Sequence, residues 1–432
     1  MFNFARWKWV LVTLAFCLLH MVIYLLIFSH GGSDMGLYYD YATHMGNGLV
    51  PYRDFTVEYP PIALALFYLP YVLAQDISSY SNVFADEMML FGIAGIWLVL
   101  GLARQLRVSP LIALSCYTLA VVAIGDIAVQ RFDLVPAVIT LAALYAFCRG
   151  KYEVAWLVLA IGVMTKLYPV VLAPIFLIYQ WRRCNRRRIW QSLAVFVLTL
   201  MLIAAPALVL GKGGFINSFT VQSDRALQLE SLYASLLLLL NSLGIVDAVA
   251  VRGEMSFDVS SPLAAPLAKY AFLVVGAALL AIYMLFIRRI SRKFEKPIIR
   301  RISRKLEKPT CAMLDAADSA SVIHYAIAVI TVFIITNKVF SPQFVLWLCP
   351  LIPLVSGRWH KVVWVVFLLV ACLTWYVYPL NYFVLADGQQ VVMNALILRN
   401  VLLILLVVLL VLNPSRTQTA SDGLPELAVA AD

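Results

Sequence analysis

The stretch HGGSDMGLYYDYATHMGNGLVPYRDFTVEYPP, residues 30–61, is the first polar segment after the first hydrophobic span. It carries one arginine, Arg53, and four acids: Asp34, Asp40, Asp54 and Glu58. Five tyrosines lie among them, Tyr38, Tyr39, Tyr41, Tyr52 and Tyr59. A carboxylate-rich loop beside an apolar body is a candidate site of chemistry. The alternative is an aromatic loop that covers helix ends at a membrane interface, where tyrosine is favoured.

Composition indicates that this loop belongs to a membrane protein. The chain has 432 residues, of which 63% are hydrophobic and 13% are charged. A soluble protein of this size could not cover so much apolar surface with so few charges. The backbone in lipid must be satisfied internally, and the alternating pattern of a barrel is absent. We therefore predict an all-α, polytopic integral membrane bundle with roughly 11–13 hydrophobic segments.

The net charge of +10 is concentrated in two basic segments, 182–188 and 288–309. The second contains a tandem duplication, RRISRKFEKP followed by RRISRKLEKP. Basic clusters beside membrane spans mark cytoplasmic loops and can also contact anionic lipid headgroups. Membrane lipids are therefore the expected partners of these segments, and nucleic acid is not.

The same rule orients the chain. Arg6 and Lys8 precede the span at Trp9–Phe28, so the N-terminus is expected in the cytoplasm and the acidic loop outside. Two short apolar segments, 62–74 and 231–243, leave the number of crossings open. A full crossing by 62–74 would put Arg104 outside, against the rule. Residues 1–412 are predicted to form one transmembrane domain, followed by a disordered tail at 413–432.

Two polar breaks interrupt apolar segments. The sequence TKLYP, residues 165–169, divides segment 154–181, so Lys166 is expected at the tip between two short helices or in a re-entrant hairpin. The sequence TNKVFSPQ, residues 336–343, separates predicted spans at 321–336 and 344–357. An ionisable residue at membrane depth is costly and therefore points to function.

Carboxylates and cations in the outer polar breaks suit transfer of a group from a phosphate-bearing lipid to a hydroxyl. A carboxylate would remove the hydroxyl proton, and cations would stabilise charge on the departing phosphate. The cations in question are Arg131, Lys166, Arg225 and Lys338. For each residue alone, an interfacial anchor or an ordinary ion pair is the alternative. No histidine or cysteine has metal-ligand spacing, so no metal site is expected. His44 remains a candidate because it lies in the acidic loop.

Several blocks of sequence resemble the bacterial family 87 glycosyltransferases of the GT-C superfamily. The first loop has an Asp soon after the first span, then Tyr, Gly-x-x-Pro-Tyr and Tyr-Pro-Pro. The blocks QRFDLVPA, SDRALQLESL, MTKLYPVVLAP and TNKVFSPQFVLWLCP are also similar to this family. Together they extend from residue 30 to about 350. The duplicated basic segment is not part of the family pattern.

The resemblance implies a bundle of membrane helices with short amphipathic helices in the first outer loop. It implies transfer of a sugar, typically mannose, from a polyprenyl-phosphate donor to a lipid-linked or glycan acceptor. The reaction would be inverting, on the extracytoplasmic face of the cell membrane, with no cofactor. An Asp in the first loop would be the base, and Asp34 is the matching position.

The remaining candidate residues are given roles according to their side chains. Lys166, Arg131, Lys338 and Arg225 would bind the donor phosphate. The tyrosines Tyr38, Tyr39, Tyr52 and Tyr59 would stack on sugar or order the loop. Glu58 would position acceptor hydroxyls, and Asp40 and Asp54 are second choices for the base.

Three other functions are compatible with parts of this sequence. A transporter or lipid flippase would use the broken helices to line a substrate path, but it often shows symmetry between halves, which this sequence lacks. A non-enzymatic subunit of an envelope complex would tolerate loss of Asp34. A ligase that transfers a whole glycan is a third alternative.

Overall fold

The computed structural model describes residues 4–27, 34–253, 256–292 and 313–413. The predicted tail beyond Asn413 and the duplicated segment beyond Arg292 lie outside the described residues. The helices are α1 (Phe4–Ile27), α2 (Met35–Gly46), α3 (Pro61–Leu73), α4 (Ile77–Gln105), α5 (Pro110–Ile124), α6 (Ile127–Gln130), α7 (Leu134–Cys148), α8 (Tyr152–Thr165), α9 (Ala173–Arg183), α10 (Arg186–Leu210), α11 (Gly214–Asp224), α12 (Leu232–Ser242), α13 (Ala264–Arg292), α14 (Ala316–Thr336), α15 (His360–Trp375), α16 (Tyr382–Ala386) and α17 (Gln390–Leu412). Two strands, β1 (Val249–Arg252) and β2 (Phe257–Ser260), form an antiparallel hairpin.

The predicted all-α membrane bundle is confirmed. Among the described residues, seven segments are long and apolar enough to cross a membrane. They are α1, α4, α10, α13, α14, the segment His360–Leu380 and α17. The outer helices turn apolar side chains outward; Leu26 and Leu202, for example, are 78% and 76% exposed. The helix α14 is buried nearly all round and lies in the core of the bundle.

The open question about segment 62–74 is answered by α3 and α4. Thirteen residues of helix α3 are about 20 Å long, shorter than a hydrocarbon core of about 30 Å. At the far end of α4, the Arg104 guanidinium lies 5.3 Å from the centre of the Trp9 ring, near the start of α1. The chain therefore returns to the N-terminal end of the bundle after α4, and α3 does not count as a full crossing.

Basic residues that follow α7 and end α9 lie at that same end. Gln105, which ends α4, donates to the carbonyl of Cys148 at 2.7 Å and to the Ser319 hydroxyl at 3.1 Å. Beside them, Arg183 pairs with Asp318 at 2.6 Å. We call this the basic end, and the opposite end of the bundle carries the acidic loop.

The helix α2 confirms the amphipathic helix expected in the first outer loop. Its inner face buries Met35, Tyr38, Tyr41 and Ala42, whereas Asp40 is exposed. The helix ends before a turn that closes at Pro51–Phe55, and Pro61 then starts α3 at a position where proline needs no backbone donor.

One local prediction is wrong, and one element was not predicted. The predicted span at 344–357 is instead a run of 3-10 turns, Pro342–Trp347 and Ile352–Leu354, because prolines interrupt the α-helical hydrogen bonds there. The hairpin β1–β2 was not predicted. Its second strand is also bridged to Gln228 through Asp258, so contacts distant in sequence fix it.

Candidate active site

A cavity of about 400 Å³ lies at the end of the bundle opposite the basic end, and we call it the larger cavity. Its walls come from the acidic loop, the segment before α12, the β1–β2 hairpin and the region around α16. Acids and cations both line it: Asp34, Glu58, Glu230, Arg131, Arg225 and Arg252. Asp34, Arg131 and Arg225 come from three polar segments and are more than 90 residues apart from one another in the chain, yet the fold brings them to one cavity.

Asp34 stands at the N-cap position of α2 and forms an ion pair with Arg131, which follows the short helix α6. Arg131 also donates to the Tyr378 hydroxyl at 2.5 Å. The Arg131 side chain is 6% exposed, whereas that of Asp34 is 24% exposed. The carboxylate is thus held in place by a buried cation and still faces the larger cavity.

Lys166 follows the last residue of α8 and forms a second ion pair, with Asp133. Its Nζ lies 2.6 Å from Asp133 Oδ1, and Trp347 Nε1 donates to the same oxygen at 2.7 Å. Asp133 is fully buried and Lys166 is 16% exposed. The break predicted at Lys166 is confirmed, because α8 ends at Thr165 and a 3-10 turn begins at Tyr168.

A smaller cavity, of about 250 Å³, adjoins the larger one. The two share five lining residues: Glu58, Tyr59, Arg225, Ser341 and Gln343. Lys166 lines only the smaller cavity, where apolar and aromatic side chains surround it, Leu167, Tyr168, Phe215, Phe333, Val339, Phe344 and Trp347. The pair of cavities is therefore polar on one side and largely apolar on the other, with Arg225 between them.

Six of the predicted site residues line these cavities: Asp34, Glu58, Tyr59, Arg131, Lys166 and Arg225. Lys338 lines neither of them, although its backbone carbonyl accepts a hydrogen bond from Gln228 N at 3.1 Å. Arg225 lines both cavities. The position of a cation along the chain did not reveal how close it lies to the cavities.

Three predicted tyrosines lie outside both cavity walls and order the loop. Tyr38 is fully buried and stacks on Phe67, with ring centres 4.2 Å apart. The Tyr39 hydroxyl donates to the carbonyl of Gln75, and the Tyr52 hydroxyl to that of Tyr59, each at 2.6 Å.

The other polar candidates of the loop also lie away from the two cavities. Asp40 is exposed on α2, and the His44 ring packs against Phe55 with centres 4.9 Å apart. Asp54 pairs with Arg53 at 2.8 Å, and this hydrogen bond lowers the pKa of the Asp54 carboxyl to about 2. Among the described residues, no group of three or more His, Cys, Asp or Glu could hold a metal ion.

A buried pair that the sequence analysis missed supports the wall of the larger cavity. Glu230 Oε2 lies 2.7 Å from an Arg399 nitrogen, and both side chains are fully buried. Burial raises the pKa of the Glu230 carboxyl, and Arg399 opposes that shift. Arg399 lies within the apolar helix α17, and a lone arginine in a predicted span was the signal that could have revealed it.

Comparison with known proteins identifies a family model and similar solved structures. The model of glycosyltransferase family 87 matches residues 55–303. No match was found among curated protein sequences. The chain is similar to crystal structures of ArnT from Cupriavidus metallidurans, in the apo state (15% identity) and bound to undecaprenyl phosphate (14% identity). Each alignment covers 94% of this chain and 77% of that chain, with a TM-score of 0.48.

The family match confirms the resemblance that the sequence motifs indicated, and it favours an enzyme over a transporter or an assembly subunit. It spans more than half of the 432 residues and includes Glu58, Arg131, Lys166 and Arg225. The chain belongs to glycosyltransferase family 87 and is a membrane glycosyltransferase.

Proposed function

We propose that this glycosyltransferase moves mannose from a polyprenyl-phosphate carrier to a hydroxyl of a lipid-linked or envelope glycan acceptor, with inversion at the anomeric carbon. Asp34 is the general base. The observation that carries the proposal is the junction of two cavities, one polar and one largely apolar, which an accessible carboxylate and four cations line.

The cations of the two cavities bind the phosphate of the donor. Lys166 lies within electrostatic range of both Arg131 and Arg225. Arg225 forms no ion pair with any residue that the structure describes. Like charges held close together are relieved by a shared anion, and Arg and Lys form strong hydrogen bonds with phosphate oxygens. When the phosphate leaves and gains negative charge, the same cations stabilise it.

The smaller cavity binds the prenyl chain of the donor. Its aromatic and aliphatic walls, which include Phe215, Phe333 and Phe344, adjoin Lys166. A prenyl chain that lies along these side chains would bring its phosphate to Lys166 and Arg225. The sugar would then extend into the larger cavity, where Asp34 lies.

The reaction needs one base. An acceptor hydroxyl in the larger cavity loses its proton to Asp34 as its oxygen bonds to the anomeric carbon. The bond from that carbon to the phosphate oxygen breaks at the opposite face, and the carrier leaves as polyprenyl phosphate. A single displacement does not require the second catalytic carboxylate that glycoside hydrolases use.

Ligand binding would also prepare the base. In the ligand-free protein Asp34 is paired with Arg131. A donor phosphate competes for Arg131, and this competition would free the Asp34 carboxylate to accept a proton. The cavities lie opposite the basic end, so the positive-inside rule supports an extracytoplasmic site in the cell membrane.

Donor dependence tests this function. Purified full-length protein receives radiolabelled mannosyl polyprenyl phosphate or GDP-mannose, with an extract of lipid-linked glycans as acceptor. We expect label to move only from the lipid donor, since the described residues include no nucleotide-binding domain. Direct transfer from GDP-mannose would contradict the proposal. If label moves only from a polyprenyl phosphate that carries another sugar, the assignment of mannose is wrong and that of the polyprenyl-phosphate carrier stands.

A further inference from the structure

The segment from Gln228 to Glu230 forms one wall of the larger cavity, and its backbone is fixed from two sides. Gln228 N donates to the Lys338 carbonyl at 3.1 Å, and Leu229 N donates to the Phe257 carbonyl at 2.9 Å. On the other side, Arg399 donates to the Glu230 carbonyl at 2.7 Å. A wall held by this many backbone hydrogen bonds presents its side chains in a defined arrangement.

Two buried hydrogen-bond acceptors on this wall have no partner among the described residues. Gln228 is 3% exposed and Glu230 is fully buried, yet Oε1 of each side chain accepts no hydrogen bond. Both residues line the larger cavity. Buried polar atoms in folded proteins are nearly always paired, so unpaired acceptors beside a cavity point to a ligand that donates hydrogen bonds.

The contacts of Arg399 show that Glu230 is more than a counter-ion. Arginine and carboxylate often pair through two parallel hydrogen bonds, which would occupy both carboxylate oxygens. Here one Arg399 nitrogen binds Glu230 Oε2 and another binds the backbone carbonyl, which leaves Oε1 available. Asn400 binds the same carbonyl at 3.2 Å and the Ser235 hydroxyl at 2.7 Å, and this holds the group in place.

The chemistry of the wall selects the ligand. Two acceptor oxygens repel an anion, and the arginines of the same cavity, Arg131, Arg225 and Arg252, already provide for a phosphate. Neutral hydroxyl groups at neighbouring positions, as on a sugar ring, are donors that these oxygens can bind.

We propose that Gln228 and Glu230 form a hydroxyl-binding edge that recognises the sugar in the larger cavity, with Arg399 as the positioning residue for Glu230. This inference rests on the proposed function, and it adds a determinant of sugar specificity formed by residues that are neither the base nor the phosphate-binding cations. The sugar can be that of the donor or that of the acceptor.

The test measures binding to the full-length protein in lipid nanodiscs. The probes are farnesyl phosphate mannose, for the donor, and methyl mannoside, for the acceptor, each with derivatives that lack one hydroxyl. Removing from the probe a hydroxyl that contacts Gln228 should weaken its binding to the wild type about 3- to 10-fold. Removing one that contacts Glu230 should weaken binding about 10- to 100-fold, because that acceptor is charged. In Gln228→Leu and Glu230→Gln, the same deletion should cost less than it costs the wild type.

If only the donor series shows this smaller loss in the variants, the bound sugar is that of the donor; if only the acceptor series shows it, the bound sugar is that of the acceptor. Gln228→Leu keeps the Glu230–Arg399 pair, so this variant still tests the proposal if Glu230→Gln does not fold. Asp318→Asn is the matched control, since it changes a buried carboxylate paired with arginine at the basic end and should leave every ratio unchanged. Equal losses in wild type and both variants, or no binding of either probe, would overturn the inference. This experiment measures binding and the transfer assay measures the reaction, so a failure of this inference can be told apart from a failure of the proposed function.

Discussion

At the residue scale, one tripeptide connects two ion pairs of the site. Arg131 binds Asp34, and Asp133, two residues later, binds Lys166. The Asp34 side chain is 24% exposed and that of Asp133 is fully buried. Asp34 can therefore meet a substrate, whereas Asp133 positions and neutralises Lys166.

This difference predicts a large loss of stability for Asp133→Asn. The substitution leaves a mostly buried Lys166 without its carboxylate, and breaking a buried pair costs about 3–5 kcal/mol. We expect a lower midpoint of unfolding in detergent for the single variant. The double variant with Lys166→Met should recover part of the loss. A single variant as stable as the wild type, or a double variant no better than the single one, would contradict the pairing.

Sequence could identify the charged residues of the site but not their partners. Asp34, Arg131 and Lys166 stand out as charges in an apolar chain. The buried pairs join residues 33 positions apart for Lys166–Asp133 and 169 positions apart for Arg399–Glu230. Only the packing of helices brings such residues together, so pairing could not be derived from local pattern.

At the scale of elements, the start of α11 depends on a close approach between two loops. A Cβ added at Gly214 would lie 1.9 Å from the carbonyl oxygen of Tyr52, a backbone atom. The helix α11 carries Phe215 and Ser218 to the smaller cavity, and Arg225 follows its last residue. The acidic loop and the helix that lines the smaller cavity are therefore in direct contact at this glycine.

Gly214→Ala should separate these two elements. We expect a loss of stability of about 1–3 kcal/mol, the usual cost of overpacking, together with weaker donor binding. Thermal unfolding in detergent and binding of farnesyl phosphate mannose would measure the two effects. Gly276→Ala is the control, because a Cβ there has no neighbour within 4 Å. If Gly214→Ala were as stable as this control, the close approach would not matter.

Long apolar helices were predictable from composition, whereas short irregular elements were not. Runs such as α10 and α17 exceed the length that a span requires. The strands of the hairpin have four residues each and are held by Gln228 and by the Tyr382 hydroxyl, which accepts from Phe257 N at 3.2 Å. Such strands depend on tertiary contacts, and the sequence carries little local signal for them.

At the scale of the whole molecule, the bundle has a basic end and a cavity end. Arg104 stacks near Trp9 at the first, and Asp34 and Arg225 face the cavities at the second. The helix α4 connects them, with Asp76 at its N-cap and Arg104 in its last turn. If the basic end faces the cytoplasm, the site opens to the outside.

Cysteine labelling in whole cells tests this orientation. In a background without the native cysteines, Ser79→Cys at the start of α4 and Ser109→Cys beyond its end are both exposed. We expect a membrane-impermeant maleimide to label position 79 and to leave position 109 unlabelled until the cells are opened. The reverse pattern would place the cavities in the cytoplasm, and labelling at both positions would mean that α4 does not cross.

The measurement that tests the central claim most directly is mannose transfer by Asp34→Asn, with radiolabelled mannosyl polyprenyl phosphate and matched protein amounts. Asparagine keeps the size and polarity of the side chain but cannot take the proton. We predict that transfer falls about 10²- to 10⁴-fold, as for loss of a general base, while donor binding is retained. Asp387→Asn, an exposed acid near the same end, is the control and should transfer normally. Transfer by Asp34→Asn at the wild-type rate would contradict the account.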